Sequence, residues 1–156
     1  KTIIFAALPV AFPGRTLVLA HREELLDQSA ARIADANPGV SVGVEQASRR
    51  AEADTQIIVG SVPTYAASPQ RLGDPTDYGL VVIDEAHHTP AETYIALLAR
   101  LRLVPERDWS PDGFRAYRPP SDAPFLLGVT ATPSRTLPIW PVLTSIRIHA
   151  SDSTPG

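Results

Sequence analysis

Leu80-Val81-Val82-Ile83 runs without a spacer into Asp84-Glu85-Ala86-His87-His88. Four consecutive apolar residues that do not alternate with polar ones read as a strand buried on both faces. Such a strand belongs in a parallel sheet with helices on either side. The two carboxylates then fall at the carboxyl end of the strand, where open α/β sheets hold their ligands. Adjacent acids at that place suit phosphate chemistry. One can hold a divalent cation through water while the next positions and polarises an attacking water. The plainer reading is that the acids cap a following helix, whose N-terminal dipole favours negative charge.

The rest of the chain alternates in the way that strand requires. Thr16–Ala20 reads as an apolar strand. Glu23–Ala36 reads as a helix with Leu25, Leu26, Ala30 and Ile33 on one face, stopped by Asn37-Pro38-Gly39. Val40–Glu45 and Gln56–Gly60 read as strands around a polar segment, Ala47–Asp54. Val62–Ala67 reads as a short helix or turn, and Ser68–Asp77 as a loop. Pro90 suits the first turn of a helix through Leu101. Leu103–Pro124, with five prolines, reads as an insertion loop before a last strand, Phe125–Thr130. Thr2–Ala7 reads as a short first helix. Strand–helix alternation over this length predicts one α/β domain with a mainly parallel sheet.

Bulk properties narrow the partners. The 156 residues carry a net charge of −3, so no global basic field draws the chain to nucleic acid. Any such contact must be local, through backbone amides and a few arginines. The absence of cysteine excludes disulfide scaffolds and thiolate metal sites. It suits a reducing, cytoplasmic setting. No stretch approaches the ~20 apolar residues that cross a bilayer, so no membrane partner is expected. A leader over residues 1–14 is disfavoured, because Pro9 and Pro13 interrupt the apolar run. The chain begins with Lys and contains no Met, and reads as a fragment.

Several segments together resemble the motifs of superfamily 2 helicases, in the family's order. Lys1-Thr2 looks like the end of a Walker A loop. Leu17-Val18-Leu19-Ala20-His21-Arg22-Glu23-Glu24-Leu25 looks like motif Ia, and Gly60-Ser61-Val62-Pro63-Thr64 like motif Ib. Asp84-Glu85-Ala86-His87 looks like the DEAH box, and Val129-Thr130-Ala131-Thr132-Pro133 like motif III. The matches span Lys1 to about Arg135. The resemblance implies a RecA-like P-loop NTPase domain over residues 1–135, lacking its N-terminal start. Residues 136–156 read as an atypical tail, out of frame or disordered.

The resemblance also implies roles. Lys1 and Thr2 would bind ATP, with the Thr2 hydroxyl on Mg²⁺. Asp84 would hold Mg²⁺ through water, and Glu85 would orient the hydrolytic water and take its proton. His87 would complete the catalytic set. Thr130 and Thr132 would couple hydrolysis to movement of a second RecA-like domain. His21, Arg22, Gly60, Ser61 and Thr64 would contact the nucleic-acid backbone, although Pro63 removes one amide donor there. Glu85-x-x-His88 also has the spacing of di-iron bundles, but a single copy at a strand end does not build that site.

The implied activity is that of an ATP-dependent DNA helicase or translocase. His87, in place of the Asp of the DEAD box, and the Ala-His-Arg-Glu-Glu-Leu wording lean toward DNA over RNA. The alternatives are an RNA helicase and a non-catalytic remnant that only binds. The chain lacks the glycine-rich part of a phosphate loop, so the fragment alone is expected to be inactive.

Overall fold

The structure, a computed structural model, describes residues 12–84 and 91–129. Five strands, β1 (Arg15–Ala20), β2 (Val42–Glu45), β3 (Ile57–Ser61), β4 (Tyr78–Asp84) and β5 (Phe125–Val129), form one sheet. Its order is β2-β3-β1-β4-β5, and every neighbouring pair is parallel. The helices are α1 (Leu26–Ala36), α2 (Val62–Ala67), α3 (Ala91–Arg100) and α4 (Pro111–Ala116). This is the expected α/β architecture with a parallel sheet between helical layers.

The apolar runs form the centre because their two faces bury into two clusters. Successive side chains of a strand point to opposite sides. Leu17, Leu19, Ile58, Val81 and Ile83 therefore pack with Val62 and Tyr65 of α2 and with Tyr94, Leu97 and Leu98 of α3. Val18, Ala20, Val59, Leu80 and Val82 pack instead with Leu26 and Ile33 of α1. Each fully buried Leu or Ile contributes about 1.5–3 kcal/mol relative to an exposed one.

Crossover handedness explains the sides. From β1 the chain moves to the far edge strand β2, with α1 on one face. From β2 onward it moves back through β3 and β4 to β5, with α2 and α3 on the other. Right-handed crossovers in opposite directions must use opposite faces. The β2–β3 crossover, residues 46–56, contains no helix. It lies on the α2 face, where Ala51 packs against the core cluster.

Three expectations need correction. The helix expected to begin at Glu23 starts as a 3₁₀ turn, Glu23–Leu25, before α1. The tighter turn rotates Leu25 away from the apolar face, leaving it 38% exposed. The insertion Leu103–Pro124 is not patternless. Leu101, Leu103 and Val104 extend the core below α3, and Ser110 caps α4 by accepting from the Gly113 amide at 3.1 Å. The edge strand β2 begins at Val42 and not Val40, because the Val40 amide turns back to the Asn37 carbonyl. The expected helix Thr2–Ala7 and the tail 136–156 lie outside the described residues. No helix among the described residues is long and apolar enough to cross a membrane.

Candidate functional site

Parallel pairing carries the sequence motifs to one edge of the sheet. Ala20 of β1 is level with Ser61 of β3. Leu19 is level with Ile83, which places Ala20 beside Asp84. Asp84 is level with Val129 of β5. Segments far apart in sequence thus end side by side, about 4.8 Å from strand to strand. His21 follows β1, the Gly60–Thr64 segment ends β3, and Asp84 ends β4. Thr130 would follow β5.

Chain direction divides at the same edge. The connection after β1 leads toward β2, and the connection after β4 leads toward β5. The β1/β4 boundary is therefore a topological switch point, whose carboxyl ends form the crevice that binds ligands in open α/β sheets. The main chain of Asp84 lies on one side of it and His21-Arg22 on the other. Lys1, Thr2, Glu85, His87, Thr130 and Thr132 lie outside the described residues. Among the described residues, no group of three His, Cys, Asp or Glu gathers as a metal cluster. Asp84 ends β4 at this crevice.

His21, Arg22, Glu23 and Glu24 line an open cleft of about 450 Å³. Arg22 is extended, at φ −90° and ψ 117°, and starts the 3₁₀ turn without a side-chain cap. His21 Nδ1 is buried with no hydrogen-bond partner among the described residues, so a polar group entering the cleft could satisfy it. Among the described residues, the cleft is lined by one guanidinium and two carboxylates. An anion there would be held by directed contact with Arg22, since the net field does not attract it.

The motif Ib residues are placed differently from what a surface contact needs. Ser61 is 0% exposed and Thr64 only 6%, and Gly60 is also buried. Ser61 Oγ accepts from the Thr64 amide at 3.3 Å, capping α2. Pro63 has no amide hydrogen. Two of the first three helical positions therefore offer no free donor. Gly60 has a packing duty: a Cβ there would come within 2.3 Å of the Tyr65 ring. Burial pushes the Tyr65 hydroxyl well above the usual tyrosine range, with Tyr78 and Glu45 adding to the shift.

One buried group at this edge had no signal in the sequence. Arg71 Nε donates to Glu45 Oε1 at 2.6 Å, with both side chains 8% exposed. The same guanidinium donates to the carbonyls of Gln46 (2.9 Å), Ala47 (3.2 Å) and Arg49 (2.7 Å). Glu45 Oε2 accepts from the Ala51 amide at 2.8 Å. Parallel strands are usually joined through a helix. Here Arg71 takes over the hydrogen bonds a helix would have made internally.

Comparison with known proteins adds to this geometry. The family model described as "Type III restriction enzyme, res subunit" matches residues 1–135. A protein of Saccharomyces cerevisiae named "Putative ATP-dependent helicase IRC3" is 33% identical over 85 residues. That match covers 54% of this chain and 12% of the yeast protein.

Proposed function

The chain belongs to the family of the type III restriction enzyme res subunit, and from that premise we propose that it is the ATP-binding half of a DNA helicase or translocase motor. The observation that carries the reading is the register. It sets the ends of β1, β3, β4 and β5 level at one edge, on either side of the switch point. Phosphoryl transfer depends mainly on positioning and charge, and such an edge can supply both from separate motifs.

In this reading Lys1 and Thr2 hold the ATP phosphates, and Thr2 and Asp84 hold Mg²⁺. Bound there, the ion would neutralise charge that develops on the phosphate oxygens. Glu85 orients the hydrolytic water and accepts its proton, and His87 links the nucleotide to the partner domain. Thr130 and Thr132 relay the state of that site to a second RecA-like domain. Arg22 and the His21 cleft hold the backbone of the nucleic acid. Because Gly60, Ser61 and Thr64 are buried, they act in this reading by shaping the β3 turn that supports the edge. Residues 1–135 act as the motor module, and residues 136–156 are not assigned to it. The cytoplasm is the proposed compartment.

The test is nucleic-acid-stimulated ATP hydrolysis by the full-length protein. Glu85→Gln should remove more than about 99% of turnover while ATP binding persists, since general-base removal commonly costs 10²–10⁴-fold. Turnover that survived nearly intact would overturn the assignment. Stimulation by oligo-dT exceeding that by oligo-rU is the expected preference. The reverse order would move the proposal to RNA.

A further inference from the structure

We propose that the Asp112–Gly113 peptide is a site of spontaneous isoaspartate formation, held in check by a chain of hydrogen bonds from Asp108 through Ser110 to the Gly113 amide. No other Asp-Gly pair and no Asn-Gly pair occurs in the sequence. In such a pair the glycine amide nitrogen can attack the aspartyl Cγ, because no Cβ hinders the close approach. The N–Cγ bond forms, the amide proton and the carboxyl hydroxyl leave together as water, and a cyclic succinimide results. Water then adds to either ring carbonyl. Opening at the former main-chain carbonyl leaves the chain running through the Asp112 side chain, with the free carboxylate on Cα. Nothing is oxidised or reduced.

Packing around α4 explains both the glycine and the restraint. A Cβ at Gly113 would meet the Asp108 carbonyl oxygen at 2.1 Å and Asp108 Cγ at 2.7 Å. Asp108 is itself left-handed, at φ 60°. A side chain at position 113 that would hinder ring closure is therefore excluded by the Asp108 turn. The Asp112 carboxylate is accessible, 94% exposed and 3.5 Å from Arg115, a surface contact of little worth.

The restraint lies on the nitrogen. Gly113 N donates to Ser110 Oγ at 3.1 Å, and that hydroxyl donates to Asp108 Oδ1 at 2.6 Å. The nitrogen must give up its proton to attack, and the cap holds that proton. Phe114 N donates to the Ser110 carbonyl at 3.0 Å, and Tyr117 N to the Gly113 carbonyl at 3.1 Å, so the peptide stays helical. Ring closure waits for α4 to open. A helix this short is marginal by itself, and such segments open locally more often than the whole domain. An isoaspartyl link adds a methylene to the main chain and breaks the helical spacing. Phe114, which packs against one core cluster, and the Tyr117 hydroxyl, which donates to the Arg102 carbonyl at 3.0 Å, both follow the altered link. The chain between α3 and β5 therefore loosens as the protein ages.

The experiment ages the full-length protein near neutral pH. Isoaspartate is read by enzymatic carboxyl methylation with a labelled methyl donor, mapped to proteolytic fragments. Label should accumulate in the fragment that holds Asp112. Asp112→Glu should remove it, because the larger glutamyl ring closes far more slowly. Ser110→Ala should raise the rate about 5-fold, the gain in opened α4 that loss of a cap gives. Ser110→Thr should keep the slow rate, since the hydroxyl remains. In urea the original and Ser110→Ala proteins should react at one common, faster rate. A fragment that takes no label in either the folded or the unfolded protein overturns the site. Folded and unfolded rates that agree, or a Ser110→Ala rate equal to the original, overturn the restraint.

Discussion

Gly60 offers a sharp test of packing against recognition. It falls in the segment that resembles a nucleic-acid motif, yet its surroundings give it a steric role. A Cβ at this position would be 2.3 Å from Tyr65 Cε2 and 2.9 Å from both Cζ and the hydroxyl oxygen. The backbone is not the obstacle, because Gly60 is not among the positive-φ residues. Carbon atoms in good contact stand about 3.5–4.0 Å apart, so the ring would have to retreat by more than ~1 Å. Tyr65 is 0% exposed and packed among Leu72, Tyr78 and the α3 side chains of one core cluster. The retreat therefore compresses neighbours, at a cost of about 1–3 kcal/mol for overpacking. Gly60→Ala should lower the unfolding free energy by that amount, read from urea midpoints at unchanged m value. Tyr65→Leu removes the obstructing ring and is itself destabilising through the cavity it leaves. In the double variant the new methyl fills part of that cavity. The two changes should then be non-additive by about 1–3 kcal/mol, in the compensating direction. A Gly60→Ala protein within ~0.5 kcal/mol of the original would refute the steric argument. So would a cycle additive to within ~0.5 kcal/mol, the usual limit for independent sites.

Two further outcomes follow from buried polar groups. Glu45→Ala or Arg71→Ala strands a buried charge and should each cost about 3–5 kcal/mol. Equal stability in urea would show the pair to be solvated. Alkaline pH should also destabilise the fold. Burial raises both Tyr65 and Tyr78 above the ordinary value of 10.0. The unfolded chain therefore loses those protons near pH 10 while the folded chain keeps them. Stability is present in full below about pH 10 and falls above it, by up to ~1.4 kcal/mol per pH unit for each tyrosine. Urea midpoints between about pH 8 and 11 check this, and a midpoint that stays level across that range would contradict the burial assigned to both rings.

What could be read from the sequence was what is local. The apolar runs at Leu17–Ala20, Ile57–Val59 and Leu80–Ile83 identify strands without help, because only a two-sided core accommodates them. Val62–Ala67 is legible as a short helix or turn, and the Ser61 cap explains why it is a helix that starts there. The α4 turn had a usable signal that the prolines around it obscured. Ser110-Pro111-Asp112 places a capping residue, a first-turn proline and a first-turn acid in sequence. Leu25 misled because a 3.6-residue period was applied across a 3₁₀ turn of three residues.

The site was legible only in part, for a physical reason. A motif specifies which residues end a strand, and parallel register then converts distant strand ends into neighbours. That His21-Arg22 and Asp84 follow or end neighbouring strands at one edge is legible on those grounds. What a motif does not encode is which side chains near the edge remain exposed once the chain is packed. Ser61 and Thr64 satisfy a surface motif by letters and are buried in fact. Arg49 and Arg50 belong to no motif, yet they stand on the same edge because Arg71, from a later segment, fastens their turn to β2. That fastening joins residues 26 apart in sequence, a separation at which neither propensity nor periodicity carries a signal.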